Sequence, residues 1–247
     1  MDHLIYTALS GMAASMTRER VIASNMANAQ TIGFRAETLE SVPVTLAGGG
    51  LEVRAMNRSR VGGADMKRGP LEQTGRALDV AMQGDALLTV QASDGEEAYT
   101  RRGDLSITPT GVLQNGDGLP VIGDSGPVTL PPNARVTISP DGTVLASDPA
   151  TPDAPPAPVA RLKLARPGGS PLEKGLDGLF RVPGGGALPA DPDARLMTGA
   201  VEQSNVDPTQ VLIEMVEAQR LFDMRAKLVS TARDLDERGA SLMRLTS

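Results

Sequence analysis

The sequence contains no cysteine, no tryptophan, one histidine, two tyrosines and three phenylalanines among 247 residues. Without cysteine there is no disulfide, thiolate metal site or cysteine nucleophile. A single histidine removes most histidine metal sites and nearly every nucleophile–histidine–acid triad. We therefore expect no catalytic residue, no cofactor and no metal site.

Charge and hydropathy exclude further classes. Lys and Arg number 24 against 30 Asp and Glu, a net charge of −6, which disfavours a nucleic-acid partner because phosphates require a cationic surface. No apolar run approaches the ~20 residues of a membrane helix. The start has Asp2 where a signal peptide has basic residues, and no apolar region precedes Arg18. By these rules the chain is expected to be soluble and cytoplasmic.

The middle of the chain is rich in turn signals. The chain has 27 Gly and 19 Pro, which favours many short strands. Apolar runs bounded by Asp-Gly or Asn-Gly pairs predict strands at 87–91, 98–101, 105–108, 135–139 and 143–145. Five prolines predict an exposed loop near 148–158, and Gly48-Gly49-Gly50 predicts a hinge.

Both ends of the chain show helical periodicity. The N-terminal seam, with spacings of four and three, consists of Ile5, Leu9, Met12, Met16, Ala23 and Met26. Gly11 interrupts it at a cost of about 1 kcal/mol, unless a neighbouring backbone approaches closely there. We expect this helix to end before Gly33, a turn residue with positive φ.

The C-terminal helix has a start signal and two apolar stripes. Asp207 is a predicted cap, Pro208 suits the first helical position and Gln210 can reach back to the cap. One stripe, with Arg225 as its exception, consists of Val211, Met215, Ala218, Phe222, Val229 and Ala232. The second consists of Leu221, Met224, Leu228, Leu235, Leu242 and Leu245. This apolar face is too wide for one neighbouring helix.

These patterns predict an α+β fold. Its N- and C-terminal helices form a coiled-coil-like axial domain, and its central domain is mainly antiparallel β. The predicted bounds are 1–40 and 201–247 for the axial helices, 41–70 for a connecting segment and 71–200 for the β domain. Because a helix with one narrow seam is marginal alone, we expect the ends to pack between copies of the protein. The predicted interface consists of Ile5, Leu9, Met12, Met16, Met26, Val211, Met215, Phe222, Leu228 and Leu235.

Motifs at both ends and in the middle resemble those of flagellar rod and hook proteins. The resemblance lies in Leu4–Met12, Ser24–Arg35, Thr74–Asp85, Tyr99–Leu105 and Thr198–Asp207. The motif residues are Asn25, Asn28, Thr31, Gly33, Phe34, Gln203, Ser204 and Asn205. Ser24 and Ile32 depart from the usual Asn and Thr. The length, the Met1-Asp2 start and the short connection after Phe34 resemble the proximal-rod branch more than the distal rod.

The resemblance implies a structural subunit of the bacterial flagellar rod, with no small-molecule substrate and no chemistry. Its partners would be itself, the proximal and distal rod subunits and, during secretion, the flagellar type III export apparatus. It implies a basal-body location in the periplasm, reached without cleavage of a signal peptide, and this replaces the cytoplasmic expectation.

Alternatives remain open at this point. Within the same family, the chain could be a distal-rod or hook subunit. In another class, thirty acidic residues leave room for a carboxylate glycosidase, although no pair stands out and aromatic platforms for sugars are scarce. A binding module that presents β loops is a third reading, and it leaves the helical ends unexplained.

Overall fold

A computed structural model describes residues 2–45, 55–132, 134–148 and 155–245. The described part contains two long helices and many short strands, so the predicted α+β class is confirmed. The chain divides into two compact units. The helical unit comprises 1–27, 37–63 and 207–247, and the β unit comprises 28–36 and 64–206.

The helical unit contains two helices and a pair of strands, α1 (Asp2–Ala27), β1 (Glu37–Thr45), β2 (Ala55–Ala64, whose last residue falls in the β unit) and α2 (Pro208–Leu245). Strands β1 and β2 pair with each other, and α1 packs against both α2 and β1. Strand β2 and the end of β1 lie in the predicted connecting segment 41–70, whereas the start of β1 lies in the range predicted for the N-terminal axial part. The Gly48–Gly50 triplet lies outside the described residues.

Helix α2 begins where its start signal predicts. Oδ1 of Asp207 accepts hydrogen bonds from the backbone N–H of Thr209 (2.8 Å) and of Gln210 (3.3 Å), and Pro208 is the first helical residue. These bonds satisfy donors that a helix start leaves free. The reciprocal bond from Gln210 was predicted wrongly: its Nε2 donates to Glu214 Oε1 at 3.0 Å, one turn along the helix.

The two helices contact each other through the first stripe of α2. Val211 and Ala218 are buried, and Arg225, the polar exception in that stripe, donates through Nη1 to the Gly11 carbonyl and the Ser15 hydroxyl. A Cβ on Gly11 would lie 3.7 Å from Arg225 Nε. Gly11 therefore faces a side chain of α2, and the close backbone approach that would offset its cost is not observed there.

The β unit is built from short strands whose described pairings are antiparallel. Its strands are β3 (Leu71–Gln73), β4 (Val80–Met82), β5 (Leu87–Gln91), β6 (Glu97–Thr100), β7 (Ser106–Ile107), β8 (Leu113–Gln114), β9 (Ile122–Gly123), β10 (Gly126–Pro127), β11 (Arg135–Ile138), β12 (Thr143–Ser147), β13 (Ala157–Arg161), β14 (Leu164–Ala165), β15 (Glu173–Lys174), β16 (Phe180–Arg181), β17 (Leu196–Thr198) and β18 (Ala200–Glu202). Each predicted strand coincides with one of these within two residues.

The largest sheet of the β unit has the order β14-β5-β6-β16-β15, and a second has the order β11-β12-β13. Strands β17 and β18 return late in the chain to pair with β4 and β3. The main core is aliphatic, with Leu88, Val90 and Leu105 among its buried members. Of the loop predicted near 148–158, Pro149 and Pro152 lie outside the described residues, and Pro158 lies in β13.

Candidate functional site

An apolar surface of α2 faces away from α1. Leu212, Ile213, Val216, Met224 and Leu228 are between 48 and 67% exposed. At 100° per residue, Ile213, Val216 and Met224 fall on the side of the helix opposite to Val211, Phe222 and Val229, and Leu228 falls on the flank beside them. We call these four residues the outer face of α2.

Helix α1 has a matching exposed seam. Leu9 and Met16, seven residues apart, are 59 and 60% exposed, and Met12 and Met26 are half-buried. Among the described side chains of α1, the buried ones are instead Ser15, Val21, Ile22 and Asn25, and Val21 and Ile22 were not singled out from the sequence. The heptad seam is therefore not the side of α1 that is buried within one chain.

The predicted interface residues fall into three groups. Leu9, Met16 and Leu228 are exposed, whereas Met12, Met26, Met215 and Phe222 are half-buried. Val211 is only 6% exposed within one chain and lies on the α1-facing stripe, and its place in the interface between copies stays a prediction. The side chains of Ile5 and Leu235 lie outside the described set.

Exposed apolar side chains at this density mark a contact surface. Burying one Leu or Met side chain is worth about 1.5–3 kcal/mol, and contiguous apolar patches on soluble proteins are typical of interaction sites. The outer face of α2 and the seam of α1 are therefore candidate contact surfaces for other chains.

Asn25 connects the end of α1 to the start of β1. Its Oδ1 accepts from the Glu37 N–H at 2.7 Å, and its Nδ2 donates to the Glu37 carbonyl at 3.1 Å. Ser24 adds a bond to the Glu37 carboxylate at 3.0 Å. Asn25 therefore holds the start of β1 against the end of α1, in addition to ending the helix.

The turn residues after α1 belong to the β unit. Thr31 donates through its hydroxyl to Asn28 Oδ1 and through its N–H to the Asn28 carbonyl, and the Phe34 N–H donates to the Thr31 carbonyl. Phe34 is buried, and Lys174 Nζ lies 3.4 Å from its ring centroid, an arrangement typical of a cation–π contact.

Gly33 has φ +70°, as the sequence predicts, and a Cβ there would lie 2.4 Å from the backbone carbon of Arg101. Its N–H donates to the Glu202 carbonyl at 2.7 Å. Two requirements thus select glycine at this position, a left-handed backbone and a close approach of two backbones.

The second motif precedes α2 and consists of three consecutive polar residues. Gln203 donates through Nε2 to the Glu72 carboxylate at 2.6 Å, and Ser204 is buried and accepts from the Val206 N–H. Asn205 accepts from the Ala36 N–H at 2.7 Å and donates to the Asp65 and Lys67 carbonyls. Gln203 and Asn205 therefore connect segments that are far apart in the sequence.

A buried ionic cluster adjoins these motifs and was missed by the sequence analysis. Glu202 is 0% exposed and lies between two guanidinium groups, those of Arg35 (2% exposed) and Arg101 (1% exposed). Arg101 Nε donates to Glu202 Oε2 at 2.9 Å, and its other nitrogens donate to the Met82, Gly84 and Ala86 carbonyls. Arg35 Nη1 lies 2.5 Å from Glu202 Oε1.

The cluster holds two cations and one anion. Burial lowers the pKa of the Arg101 guanidinium, the Glu202 carboxylate opposes that shift, and the Arg35 charge adds to it. Arg35 Nε has no hydrogen-bond partner among the described residues. Glu202 is therefore the group on which both buried arginines depend for neutralisation.

Three protein families match the chain in order along its length. Residues 5–35 match "Flagella basal body rod protein", residues 81–146 match "Flagellar hook protein FlgE/F/G D1 domain", and residues 197–242 match "Flagellar basal body rod FlgEFG protein C-terminal". The flagellar basal-body rod protein FlgF of Salmonella typhimurium strain LT2 is 41% identical over 254 aligned residues, which cover 100% of both chains. The chain belongs to the flagellar basal-body rod proteins of the FlgF type.

Other relatives of this rod protein agree. FlgF of Escherichia coli strain K12 is also 41% identical over the full length of both chains. FlgG of Bacillus subtilis strain 168, a flagellar basal-body rod protein, is 29% identical over 97% of this chain and 98% of its own. The identity to this FlgG is lower than the 41% to the two FlgF proteins, in line with the FlgF type. The family is structural, so the glycosidase alternative is set aside.

The matched families of the rod protein cover both motifs and both helices. The first contains Asn25 through Phe34, and the last contains Glu202, Asn205 and the outer face of α2. In the ranges that the structure describes, neither helix combines the length and apolarity of a membrane span, and no cluster of three or more acidic or histidine side chains is placed to bind a metal ion.

Proposed function

We propose that this rod protein packs its terminal helices against those of neighbouring rod subunits and so forms part of a hollow shaft that transmits torque. The single observation that carries the proposal is the pair of exposed apolar surfaces, the seam of α1 and the outer face of α2. Within one chain α1 packs against α2 and β1, and the two apolar surfaces keep much of their area exposed. A helix with apolar residues on two opposite sides requires a second neighbour.

We propose that the axial part lies within 1–40 and 201–247 and the central β part within 71–200. Residues 28–36 and 202–206 belong to the β unit, which supports assigning the axial packing to α1 and α2 themselves. The segment 41–70 then connects the two parts, and it contains β2 and the end of β1.

The proposed partners are further copies of this chain and the other proximal- and distal-rod subunits. The outer faces would pack as in a coiled coil, in which apolar residues seven apart, such as Leu9 and Met16, fall on one seam. We also propose that the chain passes through the flagellar type III export apparatus and assembles in the periplasm. The absence of cysteine suits a chain that crosses a narrow channel without cross-links.

Deletion of the gene tests the proposal. Basal bodies from the deletion strain, viewed by electron microscopy, are expected to keep the membrane-embedded base and to have a short or missing rod, because later subunits lack their packing surface. Complementation with the wild-type gene is the control and should restore the rod. A deletion strain with rods of normal length would contradict the proposed function.

A further inference from the structure

The chain crosses between the helical unit and the β unit four times, after residues 27, 36, 63 and 206. On the β-unit side of these crossings the chain forms three segments, 28–36, 64–69 and 202–206. These segments are far apart in sequence, so only side-chain and backbone bonds within the β unit hold them together.

Asn205 lies in the segment 202–206 and bonds to the other two segments. Its Oδ1 accepts from the Ala36 N–H at 2.7 Å, and its backbone N–H donates to the Phe34 carbonyl at 3.3 Å. Its Nδ2 donates to the carbonyls of Asp65 (2.8 Å) and Lys67 (2.9 Å). The Asp65 N–H in turn donates to the Ala36 carbonyl at 2.8 Å, which closes a ring of bonds around one amide group.

Glu202 fastens the same segments to the main sheet. Its Oε1 accepts from the Gly69 N–H at 2.9 Å, and its carbonyl accepts from the Gly33 N–H at 2.7 Å. Its carboxylate also binds Arg35 and Arg101, and Arg101 follows strand β6 directly. Glu202, Arg35 and Arg101 are buried, so water does not compete for the bonds between their side chains.

We propose that Asn205, Glu202, Arg35 and Arg101 form a clasp that gathers the crossing segments into one rigid anchor on the β unit. A force that reaches the β unit along any crossing is then shared by all three segments and by the main sheet. The mechanical role rests on the proposed function in a torque-transmitting rod, whereas the clasp itself is a property of the single chain.

Hydrogen exchange of the purified full-length chain, followed by mass spectrometry, tests the clasp. In the Asn205→Ala variant, exchange is expected to rise about tenfold or more in peptides from 33–36 and from 64–69 together, while peptides from β5 and β6 stay within about twofold of wild type. A rise confined to the peptide that contains residue 205 would overturn the proposal, and so would a rise throughout β5 and β6.

Ser204→Ala is the control from the neighbouring position, because Ser204 is more buried than Asn205 and, among the described residues, its hydroxyl bonds to Val206 in its own segment. In this control variant, the rise in hydrogen exchange is expected to stay within residues 202–206. A second variant, Asn205→Asp, keeps a side-chain oxygen that accepts from the Ala36 N–H. It loses the two N–H donors that bond to the Asp65 and Lys67 carbonyls. It is expected to raise exchange in 64–69 more than in 33–36, and the reverse order would count against the clasp.

Motility separates this inference from the proposed function. The Asn205→Ala strain is expected to assemble rods and to lose swimming speed more steeply than the Ser204→Ala strain as the viscosity of the medium is raised. Equal speed loss in the two strains would refute the mechanical role even if the rod function stands. Normal rods in the gene deletion strain would refute the rod function and leave the exchange result intact.

Discussion

Replacing Leu228 with Asp is expected to abolish motility and stop rod assembly, while the subunit itself folds normally. Leu228 lies on the outer face of α2 with 67% of its surface exposed, so the single chain loses little when it changes. In an assembled shaft the same position would be buried. An aspartate there would forfeit the ~1.5–3 kcal/mol of a buried leucine and add the several kcal/mol cost of an unpaired buried charge.

Leu228 is a sharper test site than Phe222. Phe222 is half-buried on the stripe of α2 that faces α1, so Phe222→Asp would weaken the helix pair within one chain as well as any contact between chains. Loss of motility in that variant could not be assigned to assembly. Leu228→Asp leaves the α1-facing side unchanged.

The measurement is swimming in soft agar, combined with electron microscopy of basal bodies and thermal unfolding of the purified variant. Leu176→Asp is the matched control, because Leu176 is 91% exposed in the turn between β15 and β16 of the β unit. That strain is expected to swim. A motile Leu228→Asp strain with complete rods would show that the outer face of α2 is not an assembly surface.

Replacing Glu202 with Gln is expected to destabilise the β unit by about 3–5 kcal/mol, the range measured when one partner of a buried ion pair is removed. Glutamine retains the shape of the side chain and an acceptor for Gly69. The carboxylate charge is lost, which leaves the Arg35 and Arg101 guanidinium groups buried without an anion. For a chain of this size the melting temperature is expected to fall by about 10 °C.

Glu97→Gln is the matched control for this prediction. Glu97 also pairs with a cation, Lys163 at 2.7 Å, but both side chains are partly exposed, and such pairs contribute at most about 1 kcal/mol. Arg35→Met should cost less than Glu202→Gln, because Arg101 still neutralises Glu202 in that variant. Equal melting temperatures for Glu202→Gln and Glu97→Gln would contradict the structural role assigned to the buried cluster.

The elements with local signals were predictable from the sequence. Asp207 and Pro208 mark the start of α2 because a cap and a first-turn proline act on adjacent backbone groups. The run Leu87–Gln91 forms β5 as predicted, and the left-handed conformation of Gly33 follows from its place after the helix. Strands β1 and β2 were missed because β2 contains Arg, Ser and a Gly pair in place of an alternating apolar pattern.

The buried cluster could not be predicted, because its members are distant in sequence. Arg35, Arg101 and Glu202 come from the turn after α1, the end of β6 and the end of β18, and nothing in their local sequence indicates burial of the charge. The signal that was available is indirect: Glu202 directly follows the apolar pair Ala200 and Val201, and all three are buried in β18. Periodicity places Arg225 in the first stripe of α2, but its bonds to Gly11 and Ser15 of α1 were not predicted.

The central claim is that neighbouring subunits cover the outer face of α2, and thiol labelling tests it most directly. The chain has no native cysteine, so a Leu228→Cys variant that supports swimming carries one reactive site in this protein. We predict that a maleimide labels this thiol rapidly in the purified subunit and at least about tenfold more slowly in intact basal bodies, with denatured basal bodies as the reference for full labelling. Equal labelling rates in the free subunit and in the intact rod would contradict the account.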